Sequence, residues 1–355
     1  MLGPRYKYDA KPIIKLNGLQ MSMKKQIESK IQQGHYKTER VNCIICGEGD
    51  FEQLSEKDRF GLVASVVICR ECGLIQTNPR LSQESYNEFY NDEFTKLIFG
   101  RERTTQDLFF DQYFHGQKIC KYLKGSLPKE LKDLFILEVG CAAGGILAYF
   151  RDLGCSVSGM DLGQEAVDFG RKKYNLDLQV GALADCKLNR KPDIIIMSHI
   201  LEHLLNPIQE LERARALLDE KGFMYIEVPG IRNLGRAQYD LNFLHFLQIP
   251  HTDHFSLTTL TNLLNKTGFE CVRGNEMVRS IFRITKDRVL CRNNYKAALS
   301  YLRRMELLRK YLPITPFKIR YIFEVASCWL LKRTGVYKFT RGIYRKMIKR
   351  TEPKK

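Results

Sequence analysis

The sequence predicts an α/β fold: a parallel sheet with helices on both faces, a small four-cysteine unit ahead of it and a basic, helical tail behind it. Three observations carry this. Between residues 131 and 284, short apolar runs alternate with helix-period segments. The first run, residues 134–137, leads through Glu138, Val139 and Gly140 into the small residues 141–145, and then into Ile146, Leu147, Tyr149 and Phe150 at helical spacing. A buried strand feeding a glycine-rich turn and a helix opens a nucleotide-binding βαβ unit. Upstream, two C-x-x-C pairs stand 22 residues apart.

Residues 1–40 form a basic arm with 9 Lys and Arg against 3 Asp and Glu, and a helical pattern over residues 21–31. Residues 41–80 read as a zinc ribbon. Cys43 and Cys46 make one pair, Cys69 and Cys72 the other, each followed by a glycine, Gly47 and Gly73. Two residues between thiolates let a tight turn aim both sulfurs at one ion, and four sulfurs close a tetrahedron with no open position, so the metal is structural. Residues 62–68 supply a strand between the pairs. Residues 81–130 read as a helical connector. Tyr86, Phe89, Tyr90 and Phe94 recur there at helical spacing, either as core or as a lid over a ligand cleft.

In the main domain, residues 131–284, further strands are expected at 156–160, 178–180, 193–197, 223–228, 269–272 and 279–284, giving a Rossmann-like sheet of seven strands. Ligands bind outside the carboxyl ends of such strands. Gly140, Cys141, Gly144, Asp161, Ala182 and Ser198 all fall there. Asp161 lies 23 residues past Glu138, at the end of the second strand, where an acidic side chain accepts hydrogen bonds from ribose hydroxyls. Glu138 would repel a pyrophosphate and suits a ligand with a positive centre and no phosphate. This E-x-G-x-A-x-G run resembles the first motif of class I S-adenosylmethionine-dependent methyltransferases, with Ala142 where that family often has glycine. The resemblance implies that S-adenosylmethionine is the cofactor, held by Glu138, Gly140, Gly144 and Asp161.

After the fourth strand comes S-H-I-L-E-H-L. His199 and His203 are four apart and would share a face if the segment is helical. A zinc-protease motif is excluded, because Glu202 sits directly before the second histidine. The H-x-L-E-H string after D-I-I-I-M resembles ubiquinone-type O-methyltransferases and sugar methyltransferases. The N-P-P-Y-type motif of enzymes that methylate base or side-chain nitrogens is absent. His203 or Glu202, with His199 beside them, are the candidate bases for removing the acceptor's proton. A second cluster, H-T-D-H-F-S, has Ser256 as an N-cap and brings His251 and His254 as substrate contacts, with Tyr90 from the connector.

Composition bounds the partners. The chain has 355 residues and is 44% hydrophobic. Eleven cysteines with paired spacing, and no apolar leader in the first 40 residues, imply a reducing, cytoplasmic setting. The net charge of +17 is uneven: residues 283–355 hold 21 Lys and Arg against 4 Asp and Glu, while residues 41–282 hold 27 against 33. That mildly acidic middle disfavours nucleic acid as a partner, leaving an RNA-binding or RNA-modifying protein as the alternative of another class. In the tail, residues 285–355, Val336, Phe339, Ile343 and Met347 form one helical line, with Lys338, Arg341, Arg345 and Lys349 roughly opposite. Residues 317–331, with Trp329, are largely apolar but too short and charged to span. A basic amphipathic helix of this kind either lies on an anionic membrane, at the inner face of the cytoplasmic membrane, or packs on the body.

Taken together, the four-cysteine unit, N-P-R at 78–80, H-I-L-E-H and H-x-x-H-F-S resemble bacterial methyltransferases with an N-terminal zinc-binding domain. Known members include sugar C-methyltransferases. The resemblance covers residues 41 to about 275 and implies methyl transfer to a sugar or glycolipid intermediate of surface polysaccharide biosynthesis. An O-methyltransferase of a lipid or quinone intermediate is the alternative enzyme reading.

Overall fold

The computed structural model describes residues 1–311 apart from 102–103, 127–129, 237 and 288–289. The expected tail helix, with Val336, Phe339, Ile343 and Met347, therefore lies outside the described residues. Among the described residues no helix is long and apolar enough to cross a membrane.

The arm carries α1 (Gly18–Gln32), opened by a capping box in which Asn17 and Gln20 exchange side-chain and backbone hydrogen bonds. β1 (Thr38–Glu39) pairs with β5 (Arg80–Leu81), closing residues 40–79 into a unit. Within it β2 (Phe51–Lys57), β3 (Val63–Cys69) and β4 (Ile75–Thr77) form an antiparallel meander. The connector is α2 (Gln83–Asp92), α3 (Phe94–Phe99) and α4 (Thr105–Leu123).

The main sheet has seven strands: β6 (Phe135–Val139), β7 (Ser156–Asp161), β8 (Leu178–Val180), β9 (Ile194–Ser198), β10 (Phe223–Glu227), β12 (Phe269–Gly274) and β13 (Arg279–Ile284). Their order is β12-β13-β10-β9-β6-β7-β8; β10 through β8 run parallel, and β13 is antiparallel to both its neighbours, β10 and β12. The helices α5 (Gly145–Asp152), α6 (Gln164–Tyr174), α7 (Pro207–Leu217) and α9 (Leu257–Lys266) connect the strands; the four-residue α8 (Phe243–Phe246) lies in the long loop after β10. Ile194, Ile195, Ile196 and Met197 are all fully buried, as a central strand covered on both faces requires. The chain order reverses between β6 and β9, so the ligand crevice opens at the carboxyl ends of these two strands.

The cysteine unit does not end at residue 80. β11 (Asp253–His254) pairs with β4 and makes the small sheet four-stranded, β11-β4-β3-β2. The strand is two residues long and polar, so no alternation marks it in the sequence. Behind this sheet α10 (Tyr295–Tyr311) packs Ala298, Leu299 and Leu302 into a cluster with Tyr6, Leu54, Ile68 and Ile75. The basic arm is fastened to the same helix: Arg5 pairs with Glu306 at 3.0 Å, and the Tyr6 hydroxyl donates to that carboxylate at 2.9 Å.

Candidate active site

β6 ends in a turn whose backbone needs small residues. Gly140 and Gly144 have φ of +71° and +76°. A Cβ on Gly144 would stand 2.7 Å from Leu176 Cδ1, and one on Gly145 2.2 Å from the Phe109 carbonyl oxygen. Ala142 sits in the same left-handed region, at φ +46°. Its amide donates to Asp161 Oδ2 at 2.8 Å, while Asp161 Oδ1 accepts from Gly163 at 2.8 Å. Each carboxylate oxygen keeps a second acceptor site. Glu138 is 2% exposed and its Oε2 has no hydrogen-bond partner among the described residues. Burial, with the nearby Asp161 charge, pushes its carboxyl well above the usual range. An orphaned buried carboxylate oxygen costs about 1–3 kcal/mol unless a ligand satisfies it. The residues thus fit a cationic, hydroxyl-bearing ligand such as S-adenosylmethionine. Ala182 opens the turn after β8, its amide donating to Asp185 Oδ2 at 3.1 Å. Cys141 is fully buried and packs among Ile136, Leu147 and Phe150, so only its backbone belongs to the turn.

Past β9 the expected shared helical face does not form. Leu201–His203 is a single 3-10 turn, and His199 lies outside it at φ +58°. The two imidazoles instead flank Glu202: His199 Nδ1 is 3.3 Å and His203 Nε2 3.9 Å from Glu202 Oε1. Glu202 is 1% exposed, and its Oε2 is unpartnered among the described residues. His203 Nδ1 lies 3.1 Å from the Pro250 carbonyl oxygen. A carbonyl only accepts, so Nδ1 carries the proton and Nε2 offers a lone pair. Desolvation lowers the His203 pKa, which keeps the ring neutral. For His199 desolvation acts in the same direction, but the hydrogen bond and charge of Glu202 outweigh it and raise its pKa.

Tyr90, Phe94 and His251 enclose His203, with ring centroids at 5.8, 6.0 and 4.8 Å. The aromatic stripe of α2 thus divides its roles: Phe89 is fully buried, while Tyr90 stacks on Phe94 at 4.3 Å and faces the imidazole. Desolvation, with the charges of Glu202 and Asp161, raises the Tyr90 hydroxyl's pKa. His251 is buried and neutral, with desolvation holding it well below the usual histidine value. His254, expected at the substrate, stands instead in the interior. It is 2% exposed, neither ring nitrogen has a partner among the described residues, and its ring lies 5.6 Å from Phe246. Its ring also lies 6.0 Å from that of His251.

A second acid–base cluster was not read from the sequence. Glu227 ends β10 and accepts from His115 Nε2 at 3.0 Å, Arg279 Nε at 2.8 Å and the Tyr225 hydroxyl at 2.8 Å. Ser198 Oγ, which closes β9, is 3.2 Å from the same His115 nitrogen. Burial works against the Glu227 charge, yet His115 and Arg279 hold its pKa down to about 2. A polar residue at the end of an apolar strand was the available signal for Glu227; His115, one residue in an aromatic helix, had none.

The four cysteine sulfurs lie within 4.8 Å of one another, with Cys43 and Cys72 at 3.3 Å and Cys46 and Cys69 at 3.4 Å. Zn–S bonds of about 2.3 Å in a tetrahedron put sulfurs roughly 3.8 Å apart, inside that spread. Each pair sits in the same tight turn: Gly47 donates to the Cys43 carbonyl at 2.8 Å and Gly73 to that of Cys69 at 2.9 Å, both glycines at positive φ. The donor set fits a closed structural zinc.

This sheet and its glycine turn define a Rossmann-like α/β protein of the methyltransferase type. Residues 111–273 match the family described as a methyltransferase domain. Among curated proteins the chain is similar to the ubiquinone biosynthesis O-methyltransferase of Pelagibacter ubique, 27% identical over 106 residues, which are 28% of this chain and 44% of the relative. The Shewanella halifaxensis protein of that name is 22% identical over 171 residues, 42% of this chain and 71% of the relative. The chain thus spans less than half of the first relative's length. Among solved structures, the Burkholderia thailandensis 1,6-didemethyltoxoflavin N1-methyltransferase is 16% identical, over 63% of this chain and 96% of that one, with a TM-score of 0.42.

Proposed function

We propose that this protein transfers a methyl group from S-adenosylmethionine to a small-molecule acceptor, a sugar or glycolipid intermediate of surface polysaccharide. The reading is carried by the pairing of an orphaned Glu138 carboxylate at the glycine turn with a neutral His203 whose Nε2 lone pair is free. Bound S-adenosylmethionine supplies a methyl group on a positively charged sulfur. Glu138 and the glycine turn take its cationic part, and Asp161 accepts from its ribose. His203 Nε2 accepts the proton that the acceptor loses as its new bond to carbon forms, and Glu202 stabilises the imidazolium that results. Tyr90 and His251 line the acceptor's side and exclude water. His199 is the half-exposed route by which the proton reaches solvent.

The similarity to ubiquinone biosynthesis O-methyltransferases favours a second reading, methylation of a hydroxyl on a lipid or quinone intermediate. A lipid-linked acceptor agrees with the basic residues 285–355 and with peripheral contact at an anionic membrane. The experiment is incubation with methyl-labelled S-adenosylmethionine and two extracts from cells lacking the protein, one aqueous and one lipid. Label in a sugar nucleotide or glycolipid supports the first reading, and label in a quinone precursor the second. No label in either extract overturns both.

A further inference from the structure

The cysteine unit makes the wall on which the acid–base loop hangs. β4 begins three residues after Cys72. One edge of β4 pairs with β3, which ends at Cys69 (Ile68 opposite Ile75, Val66 opposite Thr77). Its other edge pairs with β11, Ile75 opposite His254 and Gln76 opposite Asp253. Just before β11, the Thr77 amide donates to the Thr252 carbonyl and the Thr77 hydroxyl to the His251 carbonyl, both at 2.9 Å. Thr252 passes the constraint on. Its amide donates to the Glu202 carbonyl at 2.9 Å, and its hydroxyl lies 3.2 Å from that oxygen and 3.1 Å from the Leu204 carbonyl.

Other contacts hold the same loop from the same side. Buried Asp58, in the turn between β2 and β3, accepts from the Ile249 amide at 3.1 Å. Tyr86, just past the ribbon, donates its hydroxyl to the Pro250 carbonyl at 2.7 Å, next to the bond that fixes the His203 tautomer. Without the ribbon, residues 247–254 keep few backbone partners, and a loop with unpaired amides does not hold one geometry. The glycine turn and Asp161 are hydrogen-bonded to each other and to β7 and share no hydrogen bond with this chain of contacts; they meet it only through apolar packing, Ile200 on Gly140 and the cysteines in one cluster with Leu137 and Met160.

We infer that the zinc ribbon is a positioning element of the acceptor half of the site: Thr77, acting through Thr252, sets Glu202 and His203, while the cofactor half shares none of these hydrogen bonds. The acceptor role of Glu202 and His203 rests on the function proposed above; the mechanical coupling does not.

The test uses the full chain, hydrogen exchange read by mass spectrometry, and calorimetry with S-adenosylhomocysteine. Release of zinc to a chelating dye should raise exchange at 247–255 and 201–204 at least tenfold. Exchange at 135–139 and 156–161 should stay put, and S-adenosylhomocysteine affinity should change less than about threefold. Thr77→Val should move the imidazole resonances of His203 and His251 with zinc still bound, and Thr77→Ser should restore them. Equal loss of protection in both halves would make the ribbon a general stabiliser and overturn the inference. So would a 247–255 loop that stays protected without zinc, a chain that purifies without zinc, or resonances indifferent to Thr77→Val. If coupling is found but His203→Ala keeps full turnover with labelled extract, the base assignment fails and the coupling stands.

Discussion

His115, on α4, donates from Nε2 to Glu227 Oε2 at 3.0 Å, so the helix before the main sheet is fastened to the carboxyl end of β10 by one charge-assisted hydrogen bond. α4 also reaches the glycine turn: Gln112 Oε1 lies 3.4 Å from the Gly145 amide, one helical turn before His115. The helix thereby reaches both the glycine turn and the end of β10; its buried Phe109, Ile119, Cys120 and Leu123 anchor it to the core, and Glu227 adds the polar tie.

Glu227→Gln should destabilise the protein by about 1–3 kcal/mol, because Arg279, Tyr225 and His115 lose an ionised acceptor. The pH dependence has a definite sign. The folded pKa, about 2, is below the ordinary 4.5, so the stabilisation is present above pH 4.5 and is lost as pH falls toward 2. Urea unfolding at stepped pH should show that acid limb in the native protein and a flatter one in the variant.

The glycine turn offers opposite substitutions. Ala142→Gly should raise stability by roughly 1 kcal/mol, since φ of +46° strains an L side chain. Gly144→Val should abolish S-adenosylhomocysteine binding, because its side chain meets Leu176 and Leu178 in a backbone already at positive φ. Asp161→Ala should weaken that binding by about 1–3 kcal/mol through lost ribose hydrogen bonds. Calorimetry on the three variants separates these effects. Unaltered binding by Gly144→Val would remove the turn from the cofactor site.

His203→Ala should lower turnover about 10²–10⁴-fold with S-adenosylhomocysteine affinity nearly unchanged, once labelled extracts have identified an acceptor. The side chain is enclosed by the Tyr90 and Phe94 rings. Full turnover in the variant would pass the role to Glu202, His199 or His251.

His254 should add its own acid sensitivity to the protein below pH 6.5. Burial pushes its folded pKa down to about 3 from an ordinary 6.5. Between those values the unfolded chain binds the extra proton, so stability falls as pH drops from 6.5 toward 3, with a slope of up to about 1.4 kcal/mol per unit. His254→Phe keeps an aromatic ring beside Phe246 and should remove that part of the slope, as chemical denaturation at pH 7, 6 and 5 can show.

Much of this architecture is written locally. The strand–glycine–helix passage at 134–150, the acidic residue closing the second strand and the paired cysteines each need only a few neighbouring residues to be recognised. Their physics is local too: periodic burial, the backbone freedom of glycine, the reach of two thiolates across a tight turn. The stretch after β9 was legible only in its residues. The spacing of His199 and His203 suggested one helical face, whereas a left-handed His199 and a single 3-10 turn set the two rings on either side of Glu202.

By itself, then, the sequence determined a Rossmann-like seven-stranded sheet, a four-sulfur centre and the residues lining the carboxyl end of the strands. Tertiary structure alone decided that His115 meets Glu227, that His251 reaches His203 while His254 packs beside Phe246, and that the four-cysteine sheet takes β11 as its edge. The reason is physical. Periodicity and spacing report what a segment does with its own backbone. Which polar side chains share a charge or a carbonyl across the fold depends on how the sheets and helices pack, and no local pattern encodes that.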